Sequence, residues 1–270
     1  MKKNLILRMI FILYSVLLFS CKENIVEKTK NEVIIREKSE QLVSANFDYL
    51  PKPNTNQIVV HQNYTLSYNE EYEQAEWVAY TLKKENLKGN NFDRPFFIQD
   101  KKVKTGSSDW RNYKNSGYDK GHLCPAGDMK FSKNAFDETF LTSNISPQKH
   151  DFNDGVWNRL EQKVRFWASK YGKVYVITGG VLNDIQKTIG REGVAVPEYF
   201  YKIIATNTNG KIKMIGFLIP HLDSDVGLYN FVTSVDEIEK MTKIDFFPKL
   251  DDKVENQLEK SNDYKDWSFN

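Results

Sequence analysis

One stretch constrains the fold more than any other. Between residues 153 and 170, Val156, Trp157, Leu160, Val164 and Trp167 recur at the three- and four-residue spacing of one helix face. A stripe with two tryptophans needs a large apolar partner, and the segments around it are rich in strand formers. Residues 173–182, 194–206 and 211–220 are three β-like runs, and 57–68 is a fourth, with Tyr64, Leu66 and Tyr68 alternating. Asn69 before Glu70 and Glu71 has the form of an N-cap followed by acids in the first turn. It predicts a helix to about residue 84, with Trp77, Val78 and Leu82 inward. Ser234-Val235-Asp236-Glu237 reads as a capping box opening a short helix through Met241. There is no internal repeat. The mixture predicts one α+β domain from about residue 55 to 250.

The chain ahead of that domain has another character. Lys2 and Lys3 precede an apolar run over residues 9–20, which is short of the ~20 residues a transmembrane helix needs. It ends in Leu18-Phe19-Ser20-Cys21, which resembles the lipobox of bacterial lipoproteins. That resemblance implies a signal peptide over 1–20, a lipid on Cys21, and an exported, membrane-anchored lipoprotein, periplasmic or on the cell surface. The plainer alternative is a secretory signal with an incidental cysteine. Residues 21–55, rich in Lys, Glu, Asn and Ser, read as a solvated tether. The only cysteines are Cys21 and Cys124, so acylation of Cys21 leaves Cys124 with no intramolecular partner. Without a disulfide framework the domain rests on its core, and 270 residues at 40% hydrophobic suffice for one. Residues 251–270 form a charged tail, expected to fray.

Global charge does not single out a partner. The net charge is +2, and without the first 20 residues 35 basic face 36 acidic side chains. Locally the balance differs: residues 101–133 hold eight Lys or Arg against three Asp, interleaved with Trp110, Tyr113 and Tyr118. Such a cluster suits phosphate contacts and base stacking, against the bland reading of a solvated loop. It overlaps a long polar stretch, 87–117, of the length that functional loops have.

His122 alone would carry little, but it has company. Tyr118-Asp119-Lys120-Gly121-His122 is followed by Ser143-Asn144-Ile145-Ser146-Pro147-Gln148, then by Asn153, Trp157 and Glu161. In order and spacing these resemble the D-R-G-H, S-N-x-x-P-Q and N-x-x-x-W-x-x-L-E motifs of the DNA/RNA non-specific endonuclease family, over about residues 64–248. The resemblance implies a ββα-metal finger within a larger mixed or antiparallel sheet with flanking helices, over residues 56–250. It also implies metal-dependent hydrolysis of phosphodiester bonds in DNA and RNA. His122 would then be the general base and Asn153 the protein ligand of magnesium, with manganese or another divalent cation as alternatives. Glu161 would reach the ion through water, Asn144 would lie near the catalytic histidine, Arg94 would stabilise the transition state, and Lys120 and Arg165 would contact substrate.

Elementary chemistry agrees with those assignments. An imidazole of pKa roughly 6.5 suits proton abstraction near neutrality. An amide oxygen is a hard donor, and magnesium keeps most of its waters. Glu161 lies eight residues beyond Asn153, a rotation of ~80°, so both can face one site. Two departures matter. Lys120 replaces the motif arginine, keeping the charge but losing the planar fork; this motivates an alternative, an exported nucleic-acid-binding lipoprotein with a weakened or inactive nuclease domain. Cys124 is read as packing, with a His122/Cys124 metal pair as the sharper alternative. A serine hydrolase lacks its G-x-S-x-G elbow. His61 and His221 read as structural or surface residues, and His150 as flanking the site or touching substrate. No residue identifies an oligomer interface, an inhibitor protein or a preference between DNA and RNA.

Overall fold

The segment expected as the first helix is a strand. In the computed structural model, which describes residues 48–208 and 210–269, β1 (Gln57–Val60) and β2 (Tyr64–Asn69) form a hairpin. Residues 70–73 then turn the chain into β3 (Gln74–Lys83). Asn69 does cap, but it caps a turn: its Oδ1 accepts the Tyr72 N–H at 3.3 Å, and Glu73 sits in the left-handed region at φ 53°. The helix expectation failed because β3 is covered on both faces. Val78, Tyr80 and Leu82 project to one side, Trp77 and Ala79 to the other, all at 1% exposure or less. A strand buried twice over reads as an unbroken apolar run in which the period of two is hidden.

β3 is third in a seven-stranded sheet. Two short strands, β4 (Asp119–His122) and β5 (Ile145–Gln148), pair with each other outside it. The chain returns to the sheet as β6 (Lys173–Gly180), leaves again for a small ladder of β7 (Thr188–Ile189) and β8 (Val194–Ala195), and comes back as β9 (Tyr199–Thr208), β10 (Lys211–Pro220) and β11 (Val232–Thr233). The strand order is β1-β2-β3-β6-β9-β10-β11, with β1–β2, β2–β3, β3–β6, β6–β9 and β10–β11 antiparallel.

Helices cover both faces. A short α1 (Lys133–Glu138), capped by the Ser132 hydroxyl, lies between β4 and β5. After β5 come a turn at His150–Phe152, a wide π-helical turn at Asn153–Trp157, and α2 (Asn158–Tyr171). The stripe read from the sequence is the buried face: Val156, Trp157, Leu160, Val164 and Trp167 are all at 0% exposure, packed with Tyr80, Leu82, Val174 and Phe217 of the sheet. On the other face lies α3 (Val235–Thr242), whose Ser234 Oγ accepts the Glu237 N–H at 3.2 Å as the capping box requires. A side chain at Gly216 of β10 would come within 3.0 Å of Ile238 Cδ1, so glycine there lets α3 approach.

Both ends of the described chain are tied to this core. The Lys52 N–H donates to the Asp245 carbonyl at 2.8 Å. The charged tail forms α4 (Asp252–Glu259) and then returns Trp267, 3% exposed, to within 4.8 Å of the Trp167 ring. It is docked rather than frayed, because one tryptophan outweighs the polar residues around it; truncating a buried Trp typically costs ~3–5 kcal/mol. The signal peptide, Cys21 and the tether up to residue 47 lie outside the described residues, and among those described no helix is long and apolar enough to cross a membrane.

Candidate active site

The β4–β5 hairpin followed by α2 makes a ββα unit, and its geometry is set by a few contacts. In β4 Asp119 pairs with Gln148, Gly121 with Ser146 and His122 with Ile145. A Cβ on Gly121 would fall 2.1 Å from Gln148 Oε1 and 2.5 Å from its Cγ. Gln148 is fully buried and lies over this backbone, so only glycine fits. Asn144, also fully buried, fixes the chain just past His122. Its Oδ1 accepts the Cys124 N–H at 2.8 Å, and its Nδ2 donates to the carbonyls of Cys124 at 2.9 Å and Thr139 at 3.0 Å. Asn144 is therefore a clamp behind the histidine, with no group left to face a substrate.

His122 itself is half-buried at the end of β4, its ring against Phe97 at 5.5 Å and Phe140 at 5.1 Å between centroids. Its Nε2 is buried without a partner. Loss of hydration in this apolar sleeve, reinforced by the Arg94 guanidinium, pushes its pKa down to about 3. The imidazole is neutral at pH 7, as a general base must be.

One cavity of about 360 Å³ gathers the expected residues: Arg94, His122, Asn153 and Glu161 all line it. A larger cavity of about 840 Å³ beside Lys114, Lys187 and Arg191 holds none of them, so chemistry rather than size identifies the site. Asn153 opens the wide helical turn, where Gly155 leaves helical geometry at φ −87° and ψ −112°. Such turns recur at functional sites. Asp119 holds the Asn153 amide: its Oδ2 accepts from Nδ2 at 3.1 Å and also meets His150 Nδ1 at 2.9 Å. The nitrogen end of the amide is thereby occupied, and Oδ1 is the end left for a ligand. His150 is exposed, and its pKa is raised by the hydrogen bond and charge of Asp119.

Behind the cavity lies a buried charge cluster that the sequence reading did not assemble. Arg165 Nη1 donates to Asp128 Oδ1 at 2.8 Å and its Nη2 lies 3.7 Å from Glu161 Oε2. Tyr80 donates its hydroxyl to Asp128 Oδ2 at 2.8 Å. Lys202, fully buried, donates to Thr178 Oγ1 at 3.2 Å and rests 4.5 Å over the Trp157 ring. Burial raises the pKa of Glu161, against the pull of Lys202 and Arg165. The clue available beforehand was Lys202 itself, a lone lysine inside the apolar run Tyr201-Lys202-Ile203-Ile204, since lysine is rarely fully buried unless paired.

Lys120 and Arg165 do not line the cavity. Lys120 lies on the same face of β4 as His122, two residues away, with Nζ 5.4 Å from the Phe97 ring that His122 also touches. Arg165 is committed to Asp128 and Glu161. Cys124 is fully buried in the main core among apolar side chains, where burial pushes its thiol pKa well up. His61 and His221 are structural. The first pairs with Asp100 at 2.8 Å; the second meets the Pro197 carbonyl through Nδ1 at 2.9 Å and accepts the Lys149 N–H on Nε2 at 2.6 Å.

Comparison with known proteins places this geometry. The model of the DNA/RNA non-specific endonuclease family matches residues 45–253. Mitochondrial nuclease EXOG of Mus musculus is 33% identical over 210 residues, covering 71% of this chain and 57% of that protein. The chain thus spans somewhat over half the length of the EXOG relative. Mitochondrial endonuclease G of Homo sapiens is 30% identical over 213 residues, covering 73% of this chain and 72% of that one. A solved structure of the EndoG/EndoGI complex superposes with a TM-score of 0.69 at 31% identity, covering 74% of this chain and 89% of that one. The family is divalent-metal dependent, and the donors here fit such an ion: a hard amide oxygen whose nitrogen is already held, facing a carboxylate across one cavity. The ββα unit, the convergent side chains and the matched length together show that this chain belongs to the DNA/RNA non-specific endonuclease family.

Proposed function

We propose that the protein hydrolyses internal phosphodiester bonds of both DNA and RNA, with His122 as the general base. The observation that carries this reading is convergence. Arg94 from a loop, His122 from a strand end, and Asn153 and Glu161 from one kinked helix meet in a single cavity. Attack on a phosphodiester needs a base for water, positive charge for the non-bridging oxygens and stabilisation of the leaving oxygen. His122 takes the proton of the attacking water on Nδ1, and the negative phosphate beside it opposes the desolvation that otherwise depresses its basicity. Arg94, held 5.4 Å from the Phe140 ring that also packs on His122, supplies fixed positive charge. Asn153 Oδ1 and Glu161 would hold a divalent cation, with magnesium as the first candidate; when bound it neutralises charge on the phosphate and the leaving oxygen. Lys120 adds a point charge across Phe97, Arg165 keeps Glu161 in place, and Asn144 positions the chain after His122. These groups address the phosphate rather than base edges, which is why sequence and sugar would matter little. The leader, read as a signal peptide over residues 1–20 followed by a lipid-bearing Cys21, would deliver the domain as an exported lipoprotein.

The test uses closed circular plasmid and a structureless RNA with magnesium or manganese. The proposal expects open circles, then fragments of both substrates, and complete inhibition by EDTA. Lys120 favours one other reading, a domain that binds nucleic acid without cutting it. Retained binding with no cleavage of either substrate under either metal would establish that reading and overturn this one.

A further inference from the structure

We infer that the protein carries a second cation site, remote in sequence from the catalytic motifs, in which Asp236, Glu239 and Glu259 bind a calcium ion. Asp236 and Glu239 lie one turn apart on α3, and Glu259 is the last residue of α4. Each offers one carboxylate oxygen, and these oxygens all lie within 4.8 Å of one another. Oxygens bonded to one calcium at about 2.3–2.6 Å can be that far apart.

Convergence of acids is common on surfaces, and what distinguishes this cluster is Glu259, buried without compensation, whereas Glu239 Oε1 accepts the Phe246 N–H at 2.7 Å. Glu259 is 6% exposed, and its Oε1 is buried with no hydrogen-bond partner. Glu255, one turn earlier on α4, also has a buried and unpartnered Oε1. Among the described residues no ion pair involves Asp236, Glu239, Glu255 or Glu259. Of the basic side chains nearby, Lys240 pairs with Glu237 at 3.6 Å and Lys52 with Asp245 at 3.1 Å. Glu259 stands at the C-terminal end of α4, where the helix dipole disfavours an anion. Burial, with Glu239, Glu255 and Asp236 adding to it, pushes its pKa up to about 9. The donors are all carboxylate oxygens with no nitrogen or sulfur, the ligand type that suits calcium, magnesium and manganese. Two helices supplying irregularly placed ligands suit the flexible coordination of calcium better than the strict octahedron of magnesium. The ion would tie α4 to α3 and so secure the segment that leads to Trp267.

The inference does not depend on the nuclease reading. Calorimetric titration of the full chain with calcium chloride alone, together with thermal unfolding, tests it. Asn153→Ala, which removes the proposed ligand of the catalytic cavity, is expected to keep the calcium binding of this second site and the rise in Tm that goes with it. Glu259→Gln and Asp236→Asn are each expected to weaken that binding by about tenfold or more and to lose the rise. Glu259→Gln removes an uncompensated acid and is expected to fold; the more exposed Asp236→Asn gives the answer independently. Wild-type calcium affinity in both variants, loss of binding in Asn153→Ala, or no calcium binding by wild type at millimolar concentration would each overturn the inference.

Discussion

Asp119 gives the sharpest expectation, because it touches no substrate in the proposed reaction and yet holds the side chain proposed as the metal ligand. Its Oδ2 holds the Asn153 amide nitrogen at 3.1 Å, which leaves Oδ1 as the end of the amide for a ligand. Asp119→Ala removes that acceptor and leaves the amide free to rotate. A hydrogen bond to a charged partner is worth about 1.5–3 kcal/mol. The Asp119 side chain is 36% exposed, so solvent screening favours the bottom of that range. About 1.4 kcal/mol is tenfold in an equilibrium constant, and outer partners of metal ligands commonly contribute 10- to 100-fold. The half-saturating magnesium concentration for plasmid cleavage should therefore rise by about tenfold, while the rate at saturating magnesium stays within a few-fold of wild type. Asn153→Ala, which removes the ligand itself, should fail to saturate over the same range. An Asp119→Ala enzyme with an unchanged magnesium requirement and a lower maximal rate would refute this reasoning.

Three further expectations follow from the geometry. His122 is held neutral in the folded state at a pKa near 3 against roughly 6.5 unfolded, so its contribution to stability is complete above pH 6.5 and is lost as the pH falls toward 3. Between pH 7 and 5 wild type should lose about 2 kcal/mol more unfolding free energy than His122→Asn, at about 1.4 kcal/mol per unit; parallel pH dependences in urea denaturation would count against the buried neutral imidazole. Gly121→Ala drives a methyl group into the buried Gln148 side chain and should cost about 1–3 kcal/mol of stability, with activity falling further as the His122 strand shifts; a chevron or equilibrium melt measures the first and plasmid nicking the second. Trp267→Ala should cost about 3–5 kcal/mol, readable as a lowered urea midpoint, since its ring packs on Trp167 and Tyr171; a neutral effect would mean that the tail is not docked in solution.

Much of the site was legible in the sequence because its motifs are local. Gly121 and His122 share a four-residue strand, and Asn153 and Glu161 share one helix, so short spacings fixed their relation. Even there the route differed from a regular helix, since Gly155 breaks the turn between them. Arg94 comes from a loop distant in sequence from the motifs and still reaches the cavity, whereas Lys120 and Arg165 do not line it. What stayed hidden was long-range. Asp128, Lys202 and Tyr80 come from three distant segments and meet only when the sheet closes on α2, so no spacing announces them. β3 was misread because burial on both faces removes the polar alternation that marks a strand. Trp267 was missed because its charged surroundings outweigh one aromatic in composition, although not in packing.

His122 is proposed as the base of a phosphodiester hydrolase, and single-turnover cleavage by His122→Ala puts that role to the test. With saturating magnesium and plasmid DNA, the variant should bind DNA like wild type and cut it about 10²–10⁴ times more slowly. Cleavage by His122→Ala within a few-fold of the wild-type rate would contradict the account.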